Sequence, residues 1–202
     1  MFAVVQNGAV RQVLQMDVPF SVGDKHYSSN FLRTSSAQEK LEAGVWEIIE
    51  GARPDDRFYW VSGPNYRVVE VSSTVEASYS GTAKALDDKE EVDASGNPLW
   101  VQVLGTVNGQ PAMVDSDKRL VTKGLKSQWT AQTKTTAGGL LAATDWMVIR
   151  KAERNVDIPA SVVTYRAAVV AECARMEAQI SAATSVQALV DALATANWPK
   201  PE

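Results

Sequence analysis

Short segments that alternate apolar and polar residues lie on either side of an Asn-Gly pair at the start of the chain. The segments FAVVQ and AVRQVLQM flank Asn7-Gly8. Both central residues of a type I′ turn require a positive φ, which Asn and Gly adopt at the lowest cost. The same pair recurs as Asn108-Gly109 between two apolar runs. The sequence therefore predicts two β-hairpins, one around each Asn-Gly pair.

A short helix and several strands are predicted between these hairpins. Ser35 or Ser36 can cap the helix, because Glu39 stands where it would close a capping box. Gly44 is suited to end the helix. The segments VWEII and RFYWV read as short strands, and residues 66–79 keep mostly a period of two, which predicts one extended strand. The acidic stretch ALDDKEEVDASGNP reads as a linker or exposed loop.

The apolar residues change to a helical period after Gly124. Thr144 is placed to cap a helix that begins at Asp145, where a carboxylate favours the positive helix start. Pro159 suits the first turn of the next helix. The segment NVDIPA between them predicts a tight corner, so that the second helix folds back on the first.

The second of these helices carries the clearest pattern in the chain. Six residues follow each other at steps of three or four and form a narrow apolar seam close to a heptad: Val162, Tyr165, Val169, Cys173, Met176 and Ile180. The seam can close an intramolecular bundle or pair two chains in a homo-oligomer. Its length of under three heptads favours the bundle. Ser185 is expected to cap a last short helix, VQALVDALATA.

These elements predict an α+β protein in three segments. Residues 1–86 form a β-rich N-terminal module of hairpins and a short helix. Residues 87–118 form a linker region with the acidic loop and the second hairpin, and residues 119–202 form an all-helical domain.

Composition and charge are those of an ordinary globular protein. The chain has 202 residues, is 45% apolar and carries a net charge of −4. Residues 119–202 hold ten basic and seven acidic residues, a surplus too weak to indicate a nucleic-acid partner. No window approaches 18 uncharged apolar residues, so no membrane insertion is expected. A single cysteine allows no intramolecular disulfide, which fits the cytoplasm.

Candidate catalytic residues are few and isolated. His26 is the one histidine, it is expected in a loop, and no G-x-S-x-G segment supplies a nucleophile for it. Asp55-Asp56 lies in a predicted turn, and neighbouring side chains usually point apart. Cys173 lies on the apolar seam and is expected in the core. No metal, phosphate or dinucleotide motif is present. The sequence therefore predicts a protein without enzymatic activity and without a cofactor.

The segment LLAATDWMVIRKAERNVDIPASVVTYRAAV resembles the tail-assembly-chaperone family encoded in tailed-bacteriophage genomes, often beside tail-fibre genes. The similarity extends over about residues 120–200 and rests on the order and spacing of Leu140-Leu141, Thr144-Asp145-Trp146, Arg150, Ile158-Pro159, Tyr165-Arg166 and Trp198-Pro199. The resemblance implies a factor in tail or tail-fibre assembly that binds a tail or fibre protein in the host cytoplasm.

A second resemblance concerns the first half of the chain. HYSSNFLRTSS followed by RPDDRFYWV is similar to small modules at the start of phage tail-fibre-associated proteins. Some 115 residues precede the chaperone-like segment, which makes the chain long for that family. The alternative is a structural component of the virion tail: a fibre, adaptor or baseplate protein.

The chaperone-like segment also gives a prediction for the binding surface. Trp146 and Ile149 are expected to pack inward, and Trp146 to meet Tyr165 in one core, although an exposed Trp anchor is the alternative. Asp145 is expected to pair with Arg166. The residues predicted to contact the partner are this tryptophan and a basic rim: Trp146, Arg150, Lys151, Arg154 and Arg166.

Overall fold

The computed structural model describes residues 1–200, which form two compact units, residues 1–83 and residues 84–200. The first unit consists of strands and two short helices, and in the second unit three helices follow the strands. The predicted α+β class, with a β-rich start and a helical end, is confirmed. The predicted segments 87–118 and 119–202 both belong to the second unit. Residues 201 and 202 of the helical segment lie outside the described residues.

Seven strands and two short helices make up the first unit. In chain order they are β1 (Phe2–Gln6), β2 (Ala9–Leu14), β3 (Phe20–Val22), β4 (Lys25–Tyr27), α1 (Phe31–Thr34), α2 (Ala37–Glu42), β5 (Val45–Glu50), β6 (Tyr59–Val69) and β7 (Thr74–Ala83). Five strands form one sheet in the order β2-β1-β5-β7-β6. Only β5 and β7 run parallel. The two edge strands contact each other, so the sheet curls on itself.

Both faces of this sheet carry buried side chains, because successive side chains of a strand point to opposite faces. The inner face of the curl holds Ala3, Val5, Ile48, Val75 and Ala77. The other face carries Val4, Leu14 and Val45, which pack against side chains from the β3–β4 hairpin and α1. The sheet therefore separates two small apolar cores.

The local signals of the first unit are confirmed. Asn7 and Gly8 have φ values of 52° and 69°, as a type I′ turn requires. Ser36, not Ser35, caps α2: its side chain accepts from the N–H of Glu39, whose carboxylate accepts from the N–H of Ser36 at 2.7 Å. Gly44 follows α2 with a φ of 72°.

Three predictions between the hairpins are corrected. Residues 66–79 are not one strand, because a turn at 70–73 separates β6 from β7 and leaves Val71 fully exposed. Apolar and polar residues alternate on both sides of this turn, so the pattern alone does not reveal the turn. His26 lies in β4 and not in a loop. Within the acidic stretch, Lys89–Glu90 is a strand, whereas Asp93 closes a turn by accepting from the N–H of Asn97.

The second unit begins with four strands and continues with three helices. They are β8 (Lys89–Glu90), β9 (Trp100–Val107), β10 (Gln110–Arg119), β11 (Val121–Thr122), α3 (Leu125–Arg154), α4 (Ala160–Ala182) and α5 (Val186–Ala194). β9 and β10 form the predicted second hairpin, with φ values of 51° at Asn108 and 78° at Gly109. β8 pairs with β11.

α3 is one continuous helix of 30 residues, about 45 Å long. It passes through Gly138-Gly139 and Thr144, so the predicted helix start at Thr144-Asp145 is wrong. Thr144 instead donates its hydroxyl to the carbonyl of Leu141 inside the helix. An N-cap signal is local and does not operate where the preceding turn is already helical. The helix ends at Asn155, which has a left-handed φ of 52°.

α4 folds back along α3 after the predicted corner. Pro159 is the N-cap of α4, so it lies one residue before the first helical turn, in which it was predicted. The apolar seam is confirmed: Val169, Met176 and Ile180 are buried, and Val162, Tyr165 and Cys173 are half-buried. The seam serves the intramolecular packing of α3, α4 and α5. Ser185 caps α5 by accepting from the N–H of Ala188.

Candidate partner-binding surface

Trp146 lies on the solvent side of α3. Its exposed fraction is 52%, and that of Ile149 is 56%. Thr144 faces α4, and a residue two positions later lies about 200° around the helix. The prediction that Trp146 and Ile149 pack inward is therefore wrong, and Trp146 and Tyr165 do not share a core. Tyr165 is half-buried and donates its hydroxyl to the carbonyl of Leu140.

Arg150 is the immediate neighbour of this tryptophan. Its guanidinium lies 4.8 Å from the centre of the Trp146 ring, as expected for residues one turn apart. The Nε atom of Arg150 is buried without a hydrogen-bond partner. The stack holds the indole in place on the surface and presents a flat, partly cationic anchor.

Arg166 joins α4 to α3. Its guanidinium lies 2.9 Å from Asp145 Oδ1, which is the predicted pair. It also donates to the Thr144 hydroxyl at 2.7 Å and to the Leu141 carbonyl at 3.0 Å. With only 22% of its side chain exposed, Arg166 is committed to holding the two helices together.

The other two basic residues of the predicted rim lie near the corner after α3. Lys151 contacts Asp157 at 2.6 Å and Asn155 at 2.9 Å, and so fastens the corner to the last turn of the helix. The Lys151 ammonium lowers the pKa of the Asp157 carboxyl. Arg154 is exposed in that last turn. Two residues of the predicted rim, Lys151 and Arg166, therefore join separate parts of the chain. Arg150 is half-buried and packs against Trp146, and Arg154 is exposed.

Four exposed apolar side chains lie on the parts of α3 and α4 that the Asp145–Arg166 pair joins, and we term them together the corner patch: Trp146, Ile149, Val163 and Val170. Each has an exposed fraction above 50%. On α3, Ile149 lies one turn after Asp145, and on α4, Val163 and Val170 lie one turn before and after Arg166. Because Asp145 and Arg166 neutralise each other, this pair adds no net charge beside Ile149, Val163 and Val170.

A groove of about 540 Å³ lies on another side of the α3–α4 pair. Met147, Tyr165 and Ala168 line it together with several hydroxyl groups and with Pro199 and Lys200 of the C-terminal segment. Glu172 positions that segment by accepting from the N–H of Asn197 at 2.7 Å. Hydrogen bonds from the Arg175 guanidinium, and next from Asn197, hold the pKa of the Glu172 carboxyl at about 2.

The β9–β10 hairpin, predicted as part of a linker region and not as a binding surface, is a second exposed surface. Leu104 and Met113 have exposed fractions of 75% and 60%, and Val101, Val103 and Val107 are also exposed. The signal that could have indicated it is the segment WVQVLGTV, eight residues rich in β-formers without a single charge.

The candidate chemical groups are engaged in local contacts. Ser21 Oγ lies 2.7 Å from His26 Nδ1. Arg57 lowers the pKa of Asp55 through a paired contact of 2.6 Å. Burial and the contact with Glu177 raise the pKa of the Cys173 thiol.

Within residues 1–200, no three His, Cys, Asp or Glu side chains gather as they would around a metal ion, and no helix is long and apolar enough to cross a membrane.

Comparisons of the chain with protein-family models, with curated proteins and with solved structures found no match.

Proposed function

We propose that this protein is a non-enzymatic bacteriophage tail-associated protein that acts in tail or tail-fibre assembly. It binds a tail or fibre polypeptide through its helical region, in the host cytoplasm, while the tail is being built. The proposal begins from the resemblance of residues 120–200 to tail-assembly chaperones.

The observation that carries the proposal is the corner patch. Trp146 and Ile149 extend into solvent on the segment where the resemblance is concentrated. Aromatic side chains and arginine dominate the binding energy of protein interfaces, and the Trp146–Arg150 stack combines the two. Trp146 and Ile149 lie one turn apart on α3, and neighbouring exposed apolar side chains are typical of an interaction site. Arg154, exposed in the last turn of the same helix, would favour a partner segment with acidic residues.

Replacing Trp146 by Ala tests this surface. We expect recovery of tail or fibre proteins from phage-infected cells, identified by mass spectrometry, to fall strongly. The free energy of unfolding should change by about 1 kcal/mol or less, because the indole is half exposed and its ring contact is worth about 0.5–1 kcal/mol.

Trp60→Ala is the matched control, since Trp60 is also an exposed tryptophan, 68% accessible, but belongs to the first unit. It should leave partner recovery unchanged. Equal recovery with the wild-type chain and with Trp146→Ala would remove the corner patch from the interface.

A second candidate function is that of a structural component of the virion tail, and the β9–β10 hairpin favours it. An apolar two-stranded hairpin that is open to solvent suits a lasting contact with a neighbouring subunit better than a transient one. Mass spectrometry of purified virions separates the candidates. Stoichiometric presence would exclude the purely transient factor, and absence would exclude the structural component.

A further inference from the structure

The β9–β10 hairpin leaves both of its long edges open. It is a two-stranded sheet, and no third strand joins it among residues 1–200. Isolated two-stranded hairpins are at best marginally stable in water. An unpaired strand edge is also a template for further strand pairing.

The register of the hairpin shows which backbone groups point outward. The two-residue turn Asn108-Gly109 closes on the pair Val107–Gln110, which exchanges hydrogen bonds across the hairpin. Such pairs recur at every second position. The intervening residues of β9 therefore direct their N–H and C=O groups away from β10, and these residues are Gln102, Leu104 and Thr106.

The two edges of the hairpin differ in how well their residues prevent pairing with a further strand. On β10 the first outward position is Pro111, which has no N–H to donate, and the strand also carries Asp115, Asp117 and Lys118. Proline and charged residues are the devices that block strand pairing at an edge. β9 carries neither: it reads WVQVLGTV. The edge of β9 is thus the one that can accept another strand.

We propose that β9 pairs antiparallel with β9 of a second copy of this chain, about a two-fold axis at Leu104. The result is a four-stranded sheet in the order β10-β9-β9-β10, joined by about six backbone hydrogen bonds, two from each of three pairs of outward residues. This inference goes beyond the proposed function and does not depend on it.

The side chains of β9 match those of a second β9 in this register. Leu104 meets Leu104, the polar Gln102 meets the polar Thr106, and Val101 meets Val107. Val103 meets Gly105, where a side chain on the glycine would collide with Val114. A shift by two residues would set Gln102 against Leu104 and lose this match.

Charge also favours a second copy as the partner. β9 contains no ionised side chain, so two copies meet without the like-charge contacts that destabilise directly opposed residues. A two-fold axis requires one surface to be complementary to itself, and β9 satisfies that requirement. A single strand pair is smaller than the roughly 1,200 Å² typical of stable interfaces. The dimer is therefore expected to depend on concentration.

Charged substitutions at the two-fold axis test the proposal by sedimentation velocity over roughly a hundredfold range of protein concentration. Wild-type protein should shift from monomer to dimer. L104K should stay monomeric, because it sets two ammonium groups opposite each other, and L104E should stay monomeric for the same reason. A mixture of L104K and L104E should recover the dimer, because the opposed charges then attract.

M113K is the matched control. Met113 is the cross-strand neighbour of Leu104 and is 60% exposed, but it lies on the protected strand. M113K should dimerise like the wild-type chain. Far-UV circular dichroism of each variant checks that it is folded.

Three outcomes would overturn the inference. The first is a wild-type chain that stays monomeric throughout, which would leave the edge to a strand of another protein. The second is an equal loss of the dimer in M113K and L104K. The third is a mixture of L104K and L104E that stays monomeric. None of these outcomes bears on partner binding at Trp146.

Discussion

The curled sheet of the first unit and the β9–β10 hairpin of the second use the same kinds of strand residues with opposite results. In the sheet, alternate side chains enter one of two cores, so that Ile48 is 3% exposed. In the hairpin, Leu104 is 75% exposed. Strand composition therefore does not decide burial. In the first unit the curl of the sheet, the β3–β4 hairpin and α1 cover these side chains, whereas β9 and β10 have no covering layer among the described residues.

The largest effect is expected from removing a buried side chain from the inner core of the sheet. Ile48→Ala should lower the free energy of unfolding of the first unit by about 2–5 kcal/mol, because it removes a fully buried side chain and leaves a cavity. Ile49→Ala, one position along the same strand but 48% exposed, is the control. Urea unfolding measures both. Similar losses for the two variants would contradict the burial of the inner face.

A smaller effect is expected in the second unit, where polar contacts supplement the apolar seam between α3 and α4. Arg166→Ala removes the contacts to Asp145, Thr144 and the Leu141 carbonyl. We expect a loss of about 1–3 kcal/mol, the cost of leaving part-buried hydrogen-bonding groups without a partner.

Arg154→Ala provides the control for the Arg166 substitution, since Arg154 is exposed on the same pair of helices. It should change stability by less than about 0.5 kcal/mol. Thermal unfolding followed by far-UV circular dichroism compares the two variants. An equal effect would mean that Arg166 does not tie α4 to α3.

The smallest effect depends on pH and concerns the attachment of the C-terminal segment to α4. The pKa of Glu172 is about 2 in the folded chain and about 4.3 in an unfolded one. A lowered folded pKa means that the carboxylate stabilises the fold fully above the unfolded value and loses this contribution as the pH falls from about 4 towards 2.

Glu172→Gln should therefore reduce stability at pH 7, and the gap to the wild-type chain should narrow as the pH falls through that window. Glu153→Gln, a change at an exposed carboxylate of α3, should show a gap that is small at every pH. A gap for Glu172→Gln that stays constant down to pH 2 would contradict the charge-based attachment to Arg175 and Asn197.

The sequence predicts correctly where a signal is complete within a few residues. The positive φ values of Asn7 and Asn108, the capping box of Ser36 and Glu39, and the cap at Ser185 belong to this class. The seam from Val162 to Ile180 was also predictable, because a heptad spacing fixes which residues share one side of a helix.

The wrong predictions arise where the preference of a few residues competes with the structure of the neighbouring segments. Thr144 has the chemistry of an N-cap, but helix propagation costs less than starting a new helix, so α3 runs through it. Once α3 is continuous, the seam it shares with α4 runs through Thr144 and leaves Trp146 outside. Of the candidate binding residues, the pairing of Asp145 with Arg166 could be predicted, but the exposure of Trp146 could not.

The Asn-Gly turns, the caps at Ser36 and Ser185 and the change from strands to helices follow from the sequence, because these features depend on backbone preferences over a few residues. Which apolar side chains are covered by other parts of the chain depends on the tertiary structure. A side chain is buried only when a second surface covers it, and for Ile48 that surface comes from a distant part of the chain. For Trp146 and Leu104, no part of the described chain supplies it.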